Sequence, residues 1–207
     1  SPAEFIPILE ETGLIIPAGR RMMRETMGKC SKIRKRLPHF KVNLNISQVQ
    51  ASKSDVIEDI AAEMEKAGLP SEAIVIELKE SDLLEGNINE KHFLTELKRM
   101  GMKLALDDFG TGYSNFHYIS ELKPEIIKID RCFTANAVAD EKEYYLLNQF
   151  CTMIHNLGIK LCIEGVENEE EREKIKNLKP DFGQGYLWGK PCGYEEFVRL
   201  FVEERTL

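Results

Sequence analysis

The sequence has no long apolar run, no close cysteine pair and no concentrated basic face, and each lack removes a class of function. Nothing in it approaches the roughly 18 consecutive apolar residues that a membrane span needs, and no secretory leader pattern opens the chain. Lys and Arg number 28 against 35 Asp and Glu, a net charge of −7. The densest basic cluster, KIRKR at residues 32–36, closes a helical pattern, where cations suit the helix dipole and face solvent. Duplex nucleic acid is therefore not an expected partner, because its phosphates call for a basic surface. Five cysteines (Cys30, Cys132, Cys151, Cys162 and Cys192) lie far apart, without zinc or redox spacing. They read as buried thiols in a reducing compartment, which points to the cytoplasm. The four histidines are equally scattered and take no role.

What is present is an ordinary globular composition, 43% hydrophobic and 30% charged over 207 residues. The chain opens on Ser1-Pro2 and enters a helical pattern at once, which reads as part of a longer polypeptide. Apolar, β-rich runs recur at 41–47, 74–80, 103–109, 125–130, 160–166 and 183–188. Their starts are 33, 29, 22, 35 and 23 residues apart, the length of a strand, a helix and two turns. Between them lie apolar stripes at helical spacing: Val56, Ile57, Ile60, Ala61 and Met64; Phe93, Leu94, Leu97 and Met100; and Leu146, Leu147, Phe150, Met153, Ile154 and Leu157. Gly68, Gly101 and Gly158 follow these stripes as left-handed caps. Four further helices are expected, two before the first strand and two around 168–180 and 193–205. Strand–helix alternation without a linker predicts a single α/β domain over 1–207 with parallel strands covered by helices. Either an open doubly wound sheet or a (β/α)8 barrel satisfies this pattern. The absence of a glycine-rich phosphate loop after the first strand weakens the dinucleotide-binding form of the open sheet.

Polar residues close every strand. Asn45 and Ser47 end the first, Glu77 and Glu80 the second, and Asp107-Asp108 the third; Lys128 and Asp130, Glu164 and Glu167, and Gln184 follow on the others. In a parallel barrel these positions meet at one mouth, where such enzymes keep their active sites. Carboxylates crowded there repel one another unless cations neutralise them. Oxygen donors without Cys or His select hard ions such as Mg²⁺ or Mn²⁺, and adjacent aspartates suit a two-metal site for phosphodiester hydrolysis. Lys128 would orient the attacking water or meet a phosphate oxygen, or else form a structural salt bridge. Asp108-Phe109-Gly110 spells a kinase motif, but the other kinase motifs are absent. Gly110 and Gly112 instead allow a tight loop over the metals.

The blocks SPAEFIPILEETGLI, NLNIS, IELKES, ALDDFGTGYSNF, IKID, IEGVE and GQGYLWGKP occur in that order along the chain. Together they resemble the EAL-domain family, the cyclic-di-GMP-specific phosphodiesterases of bacterial signalling. The resemblance implies a (β/α)8 TIM-like barrel, with about six of its eight strands present, that hydrolyses cyclic di-GMP to linear 5′-pGpG. It implies that Asn45, Glu77, Asp107, Asp108 and Glu164 ligate two metal ions, that Lys128 contacts the nucleophilic water, and that Gln184 supports that shell. Glu80 resembles the glutamate that anchors the loop after DDFG; Gln50, Asp130 and Glu167 are candidate substrate contacts. Two departures stand out. The Glu-Ala-Leu motif itself would lie before Ser1, so the chain on its own is expected to turn over weakly and to dimerise over its open sheet edges. In a parent protein, other signalling domains are expected. The second departure is Lys79, where the family usually has threonine; its cation would pair with Glu77 and Glu80 or point into solvent. The competing readings are a receptor that binds the dinucleotide without cleaving it and an interaction domain that passes signals to a partner.

Overall fold

The computed structural model describes residues 1–52, 55–83, 88–111, 119–120 and 122–203. Gly112 lies outside them. The chain divides into two compact units.

The first unit comprises Ser1–Leu78, Asp82–Lys103 and Cys192–Leu207. Helices α1 (Pro2–Glu11) and α2 (Ile15–Arg34) precede strand β1 (Val42–Asn45). Helices α3 (Gln48–Ala51) and α4 (Val56–Ala67) lead to β2 (Ile74–Lys79), followed by α5 (Ile88–Arg99), and α9 (Tyr194–Val198) returns from the C-terminal end. β1 and β2 pair in parallel, Val42 with Ile74 through Asn45 with Glu77. On α2 the buried residues are Met23, Met27, Cys30 and Ile33. Steps of three and four place them on one face, packed against the face of α4 that buries Val56, Ile57, Ile60 and Met64. The basic cluster at the C-terminal end of α2 exposes Lys32, Lys35 and Arg36 and is locally bonded, with Arg34 donating to the Phe40 carbonyl at 2.6 Å and Arg36 paired to Glu203 at 2.9 Å. Helix α1 buries none of its residues and leaves Phe5 and Ile8 exposed.

The second unit comprises Lys79–Ser81 and Leu104–Pro191. Strands β3 (Lys103–Phe109), β4 (Ile126–Ile129), β5 (Lys160–Ile163) and β6 (Phe182–Gly183) pair in parallel in chain order. Helices α6 (Arg131–Ala139), α7 (Glu141–Asn156) and α8 (Glu169–Ile175) intervene. Leu106, Ile127, Ile129, Leu161 and Ile163 are fully buried, as strands covered on both faces require. Each removes a branched side chain from water at a gain of about 1.5–3 kcal/mol.

Several expectations shift. Gly68, Gly101 and Gly158 carry the expected left-handed φ of 62°, 72° and 72°. On α7, however, the buried row is Leu147, Cys151 and Ile154, while Leu146 and Leu157 are exposed, so the helix is turned from the face the stripe suggested. Helix α6 was not anticipated; its stripe is weak, and Asp130 opens it by accepting the Cys132 N–H at 2.9 Å. β5 stops at Ile163, two residues before Gly165 at φ 73°. β6 is two residues long rather than the six of 183–188. Beyond Gly183 the chain turns back on Val166, whose N–H donates to the Gln184 carbonyl at 3.2 Å and whose carbonyl accepts from Leu187 at 3.1 Å. Trp188, the single tryptophan, lies directly on Gly183: a Cβ there would stand 2.3 Å from its ring. Cys30, Cys151 and Cys162 are buried as expected, but Cys132 and Cys192 are exposed. No helix among the described residues is long and apolar enough to cross a membrane.

Candidate cation site at the ends of β3, β4 and β5

Two adjacent strand residues normally point to opposite faces. Asp107 and Asp108 escape that rule through a bulge. Leu106 pairs with Ile127 and Phe109 with Ile129, so two residues of β3 oppose the single residue Lys128 of β4. Asp108 makes the bulge possible by adopting φ 52°, a left-handed conformation that aspartate tolerates better than most side chains. Strain of this kind persists where the surroundings hold it, and it clusters at functional sites.

The bulge brings Asp107 and Asp108 together with Glu164, which follows β5. One carboxylate oxygen from each lies within 4.8 Å of the others. Lys128 stands among them, its Nζ 2.8 Å from Asp107 Oδ1 and 2.6 Å from Glu164 Oε1. Its side chain is 5% exposed, against 13% for each of these two partners, so this is a nearly buried charge triad. Thr134 donates to the Glu164 carbonyl at 2.6 Å and holds that backbone. Asp108 lies further out, with Lys79 Nζ 3.0 Å from its Oδ2. Glu80, buried, accepts the Gly110 N–H at 2.8 Å. Gly110 has φ 95°, and a Cβ there would meet the Phe133 ring at 2.7 Å, so both backbone and space demand glycine.

In the first unit Asn45 is in register with the buried Glu77, whose Oε1 accepts from Asn43 Nδ2 at 2.6 Å. Asn43 was missed; its position two residues before Asn45, on the same strand face, was the available signal. Gln50 is buried. It closes a capping box with Ser47, and its amide packs against Gly19, where a Cβ would stand 2.1 Å from Nε2. Asp130 serves as the cap of α6. Burial raises its pKa, but the thiol and N–H of Cys132 and the N–H and charge of Arg131 outweigh that, leaving the carboxyl below its ordinary 3.8. The exposed Glu167 is tied through its N–H to Glu171 Oε2 at 2.6 Å. Gln184 is exposed, and its N–H donates to the Ile163 carbonyl at 2.9 Å. Partial desolvation, then the Asp130 carboxylate, pushes the Cys132 thiol up to about 11.

The cluster fits a divalent cation by its donor chemistry. It offers oxygen ligands alone, from carboxylates, and two ammonium groups already answer the charge that an ion would meet. The structure thus defines an α/β protein with parallel strands and an acidic, cation-competent cluster at the ends of β3 and β5.

The EAL domain model matches residues 1–191, and the chain belongs to the EAL domain family. It is 35% identical over 200 residues to the uncharacterized protein y4lL of Sinorhizobium fredii, covering 97% of this chain and 24% of y4lL. It is 29% identical over 205 residues to the probable cyclic di-GMP phosphodiesterase PdeG of Escherichia coli, covering 99% of this chain and 40% of PdeG. The chain spans about a quarter of the length of the first curated relatives it matches. Among solved structures, the EAL enzyme Bd1971 in its cAMP- and cyclic-di-GMP-bound form superposes with a TM-score of 0.92 at 28% identity, over 98% of this chain and 56% of Bd1971. The fold is therefore the TIM-like α/β barrel fold of that family, represented by six strands among the described residues.

Proposed function

We propose that this chain belongs to the phosphodiesterase domain of a cyclic di-GMP signalling protein that converts cyclic di-GMP to linear 5′-pGpG, and that the chain on its own turns over weakly. One observation carries the reading: in a member of the EAL family, Asp107, Asp108 and Glu164 converge around the nearly buried Lys128. We read residues 1–207 as one domain, since the family match runs across both units.

In this reading Asp107, Asp108 and Glu164 would hold Mg²⁺ or Mn²⁺; Asn45 and Glu77 are the further oxygen ligands that the family resemblance implies. Bound ions would neutralise the phosphodiester and lower the pKa of a water molecule. The chain's own groups do the rest. Lys128, held by Asp107 and Glu164, presents an ammonium that orients the attacking water or meets a phosphate oxygen. Glu80 fixes the start of the loop after Asp108 through Gly110. Gln184 supports the metal shell, and Gln50, Asp130 and Glu167 act on the dinucleotide or on the residues around it. A cytoplasmic location, neighbouring signalling domains and a homodimer complete the reading. The exposed apolar residues of α1 support self-association.

The test is product analysis by chromatography after incubating cyclic di-GMP with Mn²⁺ and either this chain or the full-length natural polypeptide that contains it. We expect 5′-pGpG from the full-length polypeptide, abolished by chelation and lowered at least about 100-fold by Lys128→Met. Tight binding with the dinucleotide left intact would favour the receptor reading. Neither binding nor cleavage would overturn both.

A further inference from the structure

The three clustered carboxylates are answered by two different ammonium groups. Lys128 is 5% exposed and cannot leave Asp107 and Glu164 without abandoning a nearly buried charge. Lys79, at 57% exposure beside an Asp108 that is itself 34% exposed, forms a solvent-exposed pair that is far cheaper to exchange. Its Nζ sits 3.0 Å from Asp108 Oδ2, so an ion and the ammonium compete for the same carboxylate. Lys79 is the last residue of β2 and Asp108 the bulged residue of β3, and both belong to the second compact unit.

We propose that Lys79 is a resident counter-cation of Asp108 which an incoming divalent ion must displace, and that it thereby sets the metal concentration at which the site fills. This rests on the metal-binding reading above. With the ammonium in place, the carboxylate is neutralised and held in its clustered position without an ion. Once the ammonium is displaced from Asp108, its long stem keeps it on the solvent side, where salt screens what repulsion remains. The lysine therefore works as a threshold: the ion at Asp108 binds more weakly than one facing an unoccupied aspartate.

The test is Mn²⁺ titration of the full chain at low ionic strength, following free ion by electron paramagnetic resonance. Wild type is compared with Lys79→Met, Lys79→Ala, Lys79→Arg, Asp107→Asn and Asp108→Asn, with circular dichroism as the control for folding. Lys79→Met and Lys79→Ala should each tighten the weaker Mn²⁺ site by roughly three- to tenfold, the scale of an exposed ion pair plus a screened like-charge repulsion. The gain should shrink toward unity near 1 M salt, and Lys79→Arg should match wild type. Equal affinity in wild type and both neutral variants, with Asp108→Asn still weakening binding, would overturn the Lys79 proposal and leave the metal site standing. Unchanged Mn²⁺ binding in both Asp107→Asn and Asp108→Asn would overturn the metal reading itself, and this proposal with it.

Discussion

Lys128 and Lys79 make the same chemical contact, ammonium to carboxylate near 3 Å, in opposite settings. The first is enclosed between β3 and β5; the second lies at a strand end in water. Burial, rather than distance, separates a structural charge from an exchangeable one. A buried pair is costly to break because whichever partner remains is stranded away from solvent. An exposed pair contributes little because water replaces either partner readily.

Removing each ammonium in turn puts that contrast to the test. Lys128→Met leaves Asp107 and Glu164 facing each other at 13% exposure, and the unfolding free energy of the metal-free protein should fall by about 3–5 kcal/mol in urea titration. Saturating Mn²⁺ should restore part of that loss; a loss under about 1 kcal/mol would mean that water reaches the triad. A carboxylate that needs no ammonium gives the middle case. Asp130→Ala deletes the cap of α6 and should cost about 1 kcal/mol at neutral pH, read as a lower Tm. The folded pKa of Asp130 is depressed, so its contribution is present above the ordinary value of 3.8 and is lost as pH falls through the folded value. The Tm gap between Asp130→Ala and wild type should therefore close in acid and be widest near neutrality. Smallest of all, Lys79→Met should change stability by less than about 1 kcal/mol, however large its effect on metal affinity.

The sequence made the strand ends legible because a parallel sheet turns chain order into spatial order: acids at the ends of β3 and β5 and a lysine on β4 become neighbours without any further signal. It concealed what depends on single dihedral angles. Nothing in the letters Asp107-Asp108 says that the second aspartate adopts a left-handed φ, and strict alternation would have sent the two carboxylates to opposite faces. The partner of Lys79 was hidden for the same reason, since Asp108 comes within its reach only through the bulge. The short β6 escaped because an aromatic, glycine-rich run fits a strand as well as a turn. What stopped it was the approach of Val166, a tertiary contact outside any local pattern. Gln50 shows the converse: a polar residue near a strand end whose visible bonds are those of a capping box.

The placement of Trp188 gives the protein a built-in optical reporter. With one indole in the chain, ultraviolet emission excited at its red edge comes from a single address, the ring resting on Gly183. Whatever disturbs β6 alters that signal, while events confined to the aspartate bulge leave it untouched. A colour shift on adding metal or dinucleotide would thus say where in the second unit the disturbance travels, without attaching any dye.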